Sequence, residues 1–400
     1  MTIHLRAATP DLTAGIIAEV FRKTNEARTI SRSATTAFCL LALFLFCAAA
    51  RVSAQHYQRT DLVSDVPGLA AATDTNLVNP WGLTSSAASA WWVSDNGTGV
   101  STLYNGAGAK QSLTVTVAPP PGDTNPSTPT GIVSNGSTDF QLISGTPSTA
   151  ARFIFVTEDG TVSGWNPSVA PTNSVLKVNN SGSAIYKGVT IAQAGVVNHL
   201  YIANFSNGTV DVFDTNYAPV TLPPGAFVDP NLPAEFAPFN VQNIGGNIYV
   251  AFAEQNADKH DEVAGRKLGY VDAFDPNGTL LQRFENGPWM NAPWGLALAP
   301  SPTASSPGFG KSSGKLLVGM FGSGQIATFD PATGEFEGLL RDRHGKPIQI
   351  DGLWALRFGN GANAGPTTTL FFTAGIDDER HGLFGSITPI PNGDDDDDDN

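Results

Sequence analysis

Two segments of the chain each combine several carboxylates with one histidine. Carboxylates beside a histidine can bind a divalent metal or transfer protons in general acid–base catalysis. Lysines and arginines are interspersed in both segments, so pairing of surface charges explains the same pattern equally well. The candidate metal ligands are Asp258, His260 and Asp261 in residues 255–267, and Asp378, Glu379 and His381 in residues 375–382.

A second set of polar residues lies at the ends of predicted strands. If these strands form a ring, the residues would surround one mouth of its channel, a concave place suited to a ligand. Calcium takes six to eight oxygen ligands, so a calcium ion would suit such a ring. The same residues could instead cap strand ends and bind water in a wet channel. The candidate ligand-binding residues are Asn79, Asp95, Asn96, Glu158, Asn204, Glu254, Asp351 and Asp377.

The elements that must position these residues are repeats. A small residue followed by an apolar run returns at positions 82, 131, 188, 240, 295 and 352, separated by 49, 57, 52, 55 and 57 residues. A period near 50 is typical of architectures built from one repeated unit. Trp81, Trp294 and Trp354 lie beside three of these anchors. They could form a stacking platform for a ligand, but their repeated position favours packing between adjacent units.

Each repeat contains several short predicted strands. The anchor is followed by an apolar run, as at residues 153–158, then by an alternating segment, as at 208–214, and by a weaker strand, as at 113–117. Alternation of apolar and polar residues indicates half-buried strands. Four antiparallel strands per unit make a propeller blade. The sequence therefore predicts an all-β, six-bladed β-propeller over residues 55–390.

The last repeat is incomplete. It holds only about 38 residues and shows three strands, the third near residues 385–388. Residues 57–63, from the other end of the propeller, would supply its fourth strand. Such a closure removes an open sheet edge.

The N-terminal residues have the pattern of a secretory signal. Residues 37–50 form a 14-residue apolar run, preceded by basic residues and followed by Val52-Ser53-Ala54. The run is too short to cross a bilayer comfortably, and the whole pattern predicts a signal peptide. We expect residues 1–54 to be an extension plus signal peptide cleaved near Ala54, and the protein to be secreted, extracellular or periplasmic. An uncleaved membrane anchor is the alternative.

Composition limits the partners. Both cysteines, Cys39 and Cys47, precede residue 54, so the remaining chain predicts no disulfide. The chain carries a formal charge of −14, and residues 55–400 alone have 16 basic and 33 acidic residues, or −17. This excess argues against nucleic acid and anionic membranes but permits cations and neutral polymers. We expect a monomer with no membrane span, and a disordered acidic tail over residues 391–400.

Four motifs together carry a family resemblance, at residues 79–82, 258–263, 291–297 and 382–387. They resemble an uncharacterised family of secreted bacterial proteins, some of which end in a PEP-type sorting signal. The resemblance runs from about Tyr57 to Pro389, and this chain ends in an aspartate run instead. It implies a six-bladed propeller similar in shape to NHL-repeat and gluconolactonase-like propellers. It implies no activity and no catalytic residue.

Two functional hypotheses remain. The favoured one is a binding or scaffold propeller for an extracellular ligand, polymer or partner protein, although fold alone does not decide function. The alternative is a calcium-dependent lactonase or esterase, in which a channel metal activates water and Glu158, Glu254 or Asp351 acts as ligand or base. The sequence contains no His-Glu-x-x-His motif and no phosphate-binding loop.

Overall fold

The structure, a computed structural model, describes residues 56–143 and 149–390. All of them lie within the unit Gln55–Asn400. The predicted signal segment, 1–54, and the predicted acidic tail, 391–400, lie outside the described residues.

Short, mainly antiparallel strands form almost all of the regular secondary structure of the described residues, beginning with the first two blades. The opening strands are β1 (Tyr57–Ser64) and β2 (Ala72–Thr73). Blade 1 contains β3 (Pro80–Thr84), β4 (Trp91–Asp95), β5 (Val100–Tyr104) and β6 (Lys110–Thr116). Blade 2 contains β7 (Pro129–Ser134), a side hairpin of β8 (Gln141–Ile143) and β9 (Thr149–Ala150), then β10 (Phe153–Thr157), β11 (Thr161–Trp165) and β12 (Val175–Asn179).

The other four blades follow in chain order. Blade 3 has β13 (Tyr186–Ala194), β14 (Val197–Asn204) and β15 (Thr209–Phe213). Blade 4 has β16 (Phe236–Ile244), β17 (Asn247–Gln255), the two-residue β18 (Glu262–Val263), β19 (Tyr270–Phe274) and β20 (Leu280–Arg283). Blade 5 has β21 (Pro293–Leu298), a 3₁₀ turn at Gly310–Ser312, β22 (Leu316–Met320), β23 (Ile326–Phe329) and β24 (Phe336–Leu339). Blade 6 has β25 (Leu353–Phe358), β26 (Leu370–Ala374) and β27 (Leu383–Pro389).

The predicted six-bladed propeller is confirmed. The first strand of each blade contacts the first strand of the next, and β25 contacts β3, so the ring closes. The predicted closing strand is confirmed as well: β1 pairs antiparallel with β27, from Tyr57 opposite Pro389 to Ser64 opposite Leu383. One blade departs from the prediction of four strands, because the sheet of blade 3 contains three.

Burial explains the apolar runs seen in the sequence. The first two strands of blade 1, β3 and β4, are buried along their whole length. Strands covered on both faces read as continuous apolar runs. The outermost strands, such as β20 and β24, are partly exposed and alternate instead.

Close approach of the inner strands explains the small anchor residues. A Cβ on Gly188 would lie 2.0 Å from the side-chain oxygen of Asn240, the anchor of the next blade. A Cβ on Gly82 would lie 2.4 Å from the carbonyl oxygen of Thr130. The repeated glycine is therefore needed for the packing of neighbouring blades around the axis.

Aromatic rings fill the centre of the propeller. Trp81 stacks on Trp354 with ring centroids 3.5 Å apart, and Trp294 meets both edge-on. Phe239 of blade 4 lies 6.2 Å from Trp81 of blade 1. Blades 1 and 4 face each other across the ring, so the rings pack across the axis as well as between adjacent blades. These tryptophans are at most 4% exposed, which favours the packing interpretation over a stacking platform.

Candidate functional site

One mouth of the propeller carries a continuous chain of polar contacts, which we call the mouth arc. The amide of Asn79 donates to Glu379 at 2.6 Å and approaches Asn96 at 3.4 Å. Asn96 donates to Glu158 at 2.8 Å. The arc runs from blade 6 through blades 1, 2 and 3 to blade 4. Its members in order are Glu379, Asn79, Asn96, Glu158, Lys187, Asp261 and His260.

Lys187 is the centre of the arc. Its ammonium lies 2.5 Å from Glu158 and 3.5 Å from Asp261, and its side chain has no exposed surface. The same ammonium lies 4.9 Å from the ring centre of Trp81, a distance at which a cation is attracted to an aromatic face. Burial would lower the pKa of Lys187, but the carboxylates around it hold that pKa above its ordinary value. The lysine therefore remains charged on the aromatic floor of the mouth.

Two glutamates give the mouth an excess of carboxyl groups. Burial, together with the charges of Glu379 and Asp261, raises the pKa of Glu262 to about 7 against the attraction of Lys187. Burial also raises the pKa of Glu379, although the hydrogen bond from Asn79 opposes this. A carboxyl group whose pKa is raised toward neutral pH beside other charged groups is a candidate for ligand recognition or proton transfer.

The backbone that presents Glu379 is strained. Asp377, Asp378 and Glu379 have consecutive φ values of +58°, +52° and +63°, and Asn79 has φ +45°. Residues other than glycine rarely adopt this left-handed region, and such outliers cluster at functional sites. The strain supports a functional role for this part of the mouth.

Three residues of the mouth arc lie close enough together to hold a metal ion. Oxygen or nitrogen atoms of Glu158, His260 and Asp261 all lie within 4.8 Å of one another. His260 Nδ1 is 2.7 Å from Asp261. An ion bound there would share Glu158 with the Lys187 ammonium, and the two cations would repel each other.

Several predicted site residues lie away from the arc. Asp95 is fully buried inside blade 1, where it accepts the backbone N–H of Thr102 and where burial raises its pKa well above the ordinary value. Asn204 is buried at a turn and donates to Asp211 at 2.9 Å. Glu254 is half-buried on β17, with its Cα opposite Phe236 and Val263.

The remaining predicted residues are mostly exposed. The carboxylate of Asp351 accepts the backbone N–H of Asp377, whose own side chain pairs with Arg380 at 2.9 Å. The side chain of Asp378 is 99% exposed. Asp258 is exposed in the turn before β18, and His381 pairs with Asp65 at 2.7 Å rather than with the arc.

The structure thus brings together six of the predicted residues and adds two. The six are Asn79, Asn96, Glu158, His260, Asp261 and Glu379. Lys187 and Glu262 were not among the predicted site residues. The position of Lys187 directly before its anchor glycine was a usable signal, since Asp351 also directly precedes its anchor and Asn79 lies three residues before Gly82.

Comparison with curated proteins identifies relatives. The chain is 33% identical over 333 residues to "Uncharacterized protein R648" of Acanthamoeba polyphaga mimivirus, covering 82% of this chain and 78% of that protein. It is 31% identical over 337 residues to "Uncharacterized protein L690" of the same virus, covering 82% and 84%. The chain belongs to the family of these mimivirus proteins. They are viral, whereas the sequence resemblance was to a bacterial family. No model of a known protein family matches the chain.

Several solved structures have a fold distantly similar to that of this chain. A streptogramin B lyase has a TM-score of 0.49 at 12% identity, covering 84% of this chain and 98% of that one. A glucose dehydrogenase has a TM-score of 0.46 at 11% identity, covering 82% and 98%. At these values the likeness carries no information about activity. Among the described residues, no helix is long and apolar enough to span a membrane.

Proposed function

We propose that the protein is a secreted binding propeller whose mouth takes an extracellular ligand bearing an ammonium or guanidinium group. The mouth arc is the observation that carries this proposal. Glu158, Asp261, Glu262 and Glu379 contribute four carboxyl groups, whereas Lys187 contributes one buried cation. The site therefore has an uncompensated negative charge above an aromatic floor.

The environment of Lys187 supports a cationic ligand. This ammonium is stabilised by two carboxylates and by the face of Trp81, the combination that proteins use for cationic ligands. Glu262 and Glu379 remain without a basic side chain in ion-pair contact among residues 56–143 and 149–390. A ligand cation beside them would favour their ionised forms.

The test is calorimetric titration of the full chain with spermidine and with arginine amide. We expect binding that tightens as pH rises from 6 to 8, because Glu262 ionises in this interval. Glu262→Gln and Glu379→Gln should each weaken binding about three- to tenfold. Asp258→Asn is the matched control, since Asp258 is exposed in the same loop. Equal weakening by the control, or no cation binding at pH 8, would contradict the proposal.

A second candidate is the calcium-dependent lactonase or esterase. In this candidate Glu158 and Asp261 would supply oxygen ligands to the ion, and Glu262, with a pKa raised to about 7, would be the base. There the metal would polarise a carbonyl while Glu262 accepts a proton from water. Melting curves with calcium and with EDTA, and a lactone and ester panel compared with Glu262→Gln, test it. Identical melting curves and no turnover above the variant would eliminate this candidate.

A further inference from the structure

Blade 3 lacks the outer strand that the other five blades possess. The fourth strands of blades 1, 2, 4, 5 and 6 are β6, β12, β20, β24 and β1, respectively, whereas the sheet of blade 3 ends at its third strand, β15. The outer edge of β15 opens into a groove of about 660 Å³. This groove lies on the outside of the ring and is separate from the mouth arc.

The chain after β15 turns back and pairs with β15 over a few residues, and the pairing then stops. Phe213 forms an isolated bridge with Pro219, and the N–H of Val220 donates to the carbonyl of Val212 at 2.8 Å. The next pair in this register would be Val210 with Leu222, and no hydrogen bond joins them. Pro223 and Pro224 follow, and proline cannot donate to a ladder. The sequence itself therefore prevents completion of the sheet.

The consequence is an edge with unpaired backbone groups. The carbonyl of Val212 points away from β14, so the N–H and C=O of Val210, two residues earlier, point the same way. Among residues 56–143 and 149–390, the N–H and C=O of Val210 and the N–H of Val212 have no hydrogen-bonding partner. Such an edge is a template for another strand.

The lining of the groove indicates which strand would fit. Among the described residues that line the groove, only Lys177 and Asp211 are charged, although the whole chain has a net charge of −14. Lys177 lies over the ring of Tyr217, and Asp211 accepts from Asn204 and Thr209. The rest of the wall is largely apolar and includes Val220, Leu222 and the exposed Val228.

We propose that blade 3 receives its fourth strand from a partner protein, as an extended, uncharged segment that pairs with the open edge of β15 at Val210. The partner's backbone supplies the acceptor and donor groups that β15 lacks, and its side chains pack against the apolar wall. This is strand addition to an open sheet edge. The two charged groups of the groove already have partners within the chain, so an uncharged segment matches it best.

The probe is a capped synthetic peptide that copies residues 112–118, an uncharged segment that contains most of β6, the fourth strand of blade 1. Its matched control is the same peptide N-methylated at alternate residues, which keeps the side chains and removes the pairing N–H groups. We expect the unmodified peptide to bind the full chain at least about tenfold more tightly, the effect of losing one or two backbone hydrogen bonds. Equal binding of the two peptides would overturn the proposal.

Amide hydrogen exchange gives an independent readout. Val162 occupies in β11 the place that Val210 occupies in β15, and it is paired with Val178 of β12. In the free protein we expect the amide of Val210 to exchange at least about tenfold faster than that of Val162, and to slow when the peptide binds. Protection equal to that of Val162 in the free monomer would overturn the proposal. Protection that instead appears with self-association would assign the edge to a second copy and also overturn it.

Discussion

The ammonium nitrogen of Lys187 lies 2.5 Å from Oε1 of Glu158, and none of the lysine side chain is exposed. This contact joins the first strand of blade 3 to the turn after β10 in blade 2. A buried charge must be paired, because the loss of its hydration costs several kcal/mol. The pair therefore holds part of the mouth arc in place and also stabilises the packing of blade 2 against blade 3.

Removal of this ammonium should be strongly destabilising. Lys187→Met keeps the bulk of the side chain but leaves Glu158 without its cation, so we expect a loss of about 3–5 kcal/mol in the free energy of unfolding. Urea denaturation measures it. The double variant Lys187→Met, Glu158→Gln should recover much of the loss, and Lys259→Met, at an exposed position, should change stability by less than about 0.5 kcal/mol. A single variant as stable as this control would contradict the expectation.

Stability should fall as pH rises through neutrality. The pKa of Glu262 is raised from 4.5 to about 7, so the folded state holds a proton that the unfolded state has released between these values. The stabilisation is complete below about pH 4.5 and is lost as pH rises through 7, with a magnitude of about 1–3 kcal/mol. Asp272 is fully buried and its pKa is raised to about 8, so it should extend the loss of stability to higher pH.

The measurement is the urea midpoint between pH 4.5 and 8.5 for the wild type and for Glu262→Gln. The variant should show a shallower decline, whereas Asp258→Asn should follow the wild type. A parallel decline in Glu262→Gln would show that Glu262 is not responsible.

The fold could be predicted because its signals are local and repeated. The anchor spacing predicted six blades, and the missing strand of the last repeat predicted the pairing of β1 with β27. The gap in blade 3 was overlooked, although Pro219, Pro223 and Pro224 already argue against a strand there.

The site was only partly predictable because neighbouring strand residues point to opposite faces. Asp95 and Asn96 look equivalent in sequence, yet Asp95 enters the blade and Asn96 reaches Glu158 in the mouth. The role of Lys187 depends on contacts with residues 29 and 74 positions away, Glu158 and Asp261. No local pattern encodes these contacts.

The closing strand should be needed for stability. Tyr57 of β1 places its hydroxyl 2.8 Å from Ser312 Oγ and 3.1 Å from the carbonyl of Phe309, both in blade 5. Tyr57→Phe should cost about 1–2 kcal/mol, since it leaves buried polar groups unpaired. Deletion of residues 55–64 should cost far more because it exposes the edge of β27. Thermal melting tests both, and an unchanged melting temperature after the deletion would refute the role of β1.

The need for small residues at the anchor positions can be tested by enlarging one anchor side chain and shortening the one it faces. A Cβ on Gly188 would lie 2.0 Å from Asn240 Oδ1, so Gly188→Ala should destabilise the protein by about 1–3 kcal/mol through overpacking between blades 3 and 4. Adding Asn240→Gly should relieve the clash only in part, because the added Cβ would still lie 2.8 Å from the Cα of residue 240. The substitution also removes the hydrogen bond that Asn240 donates to the carbonyl of Trp294 at 2.7 Å. Gly136→Ala is the control, since no heavy atom lies within 4 Å of its added Cβ. Urea denaturation of the wild type, Gly188→Ala, Asn240→Gly, their double variant and the Gly136→Ala control measures the coupling. If Gly188→Ala proved as harmless as Gly136→Ala, or if Asn240→Gly gave no relief, close packing at the axis would not explain why the anchors are small.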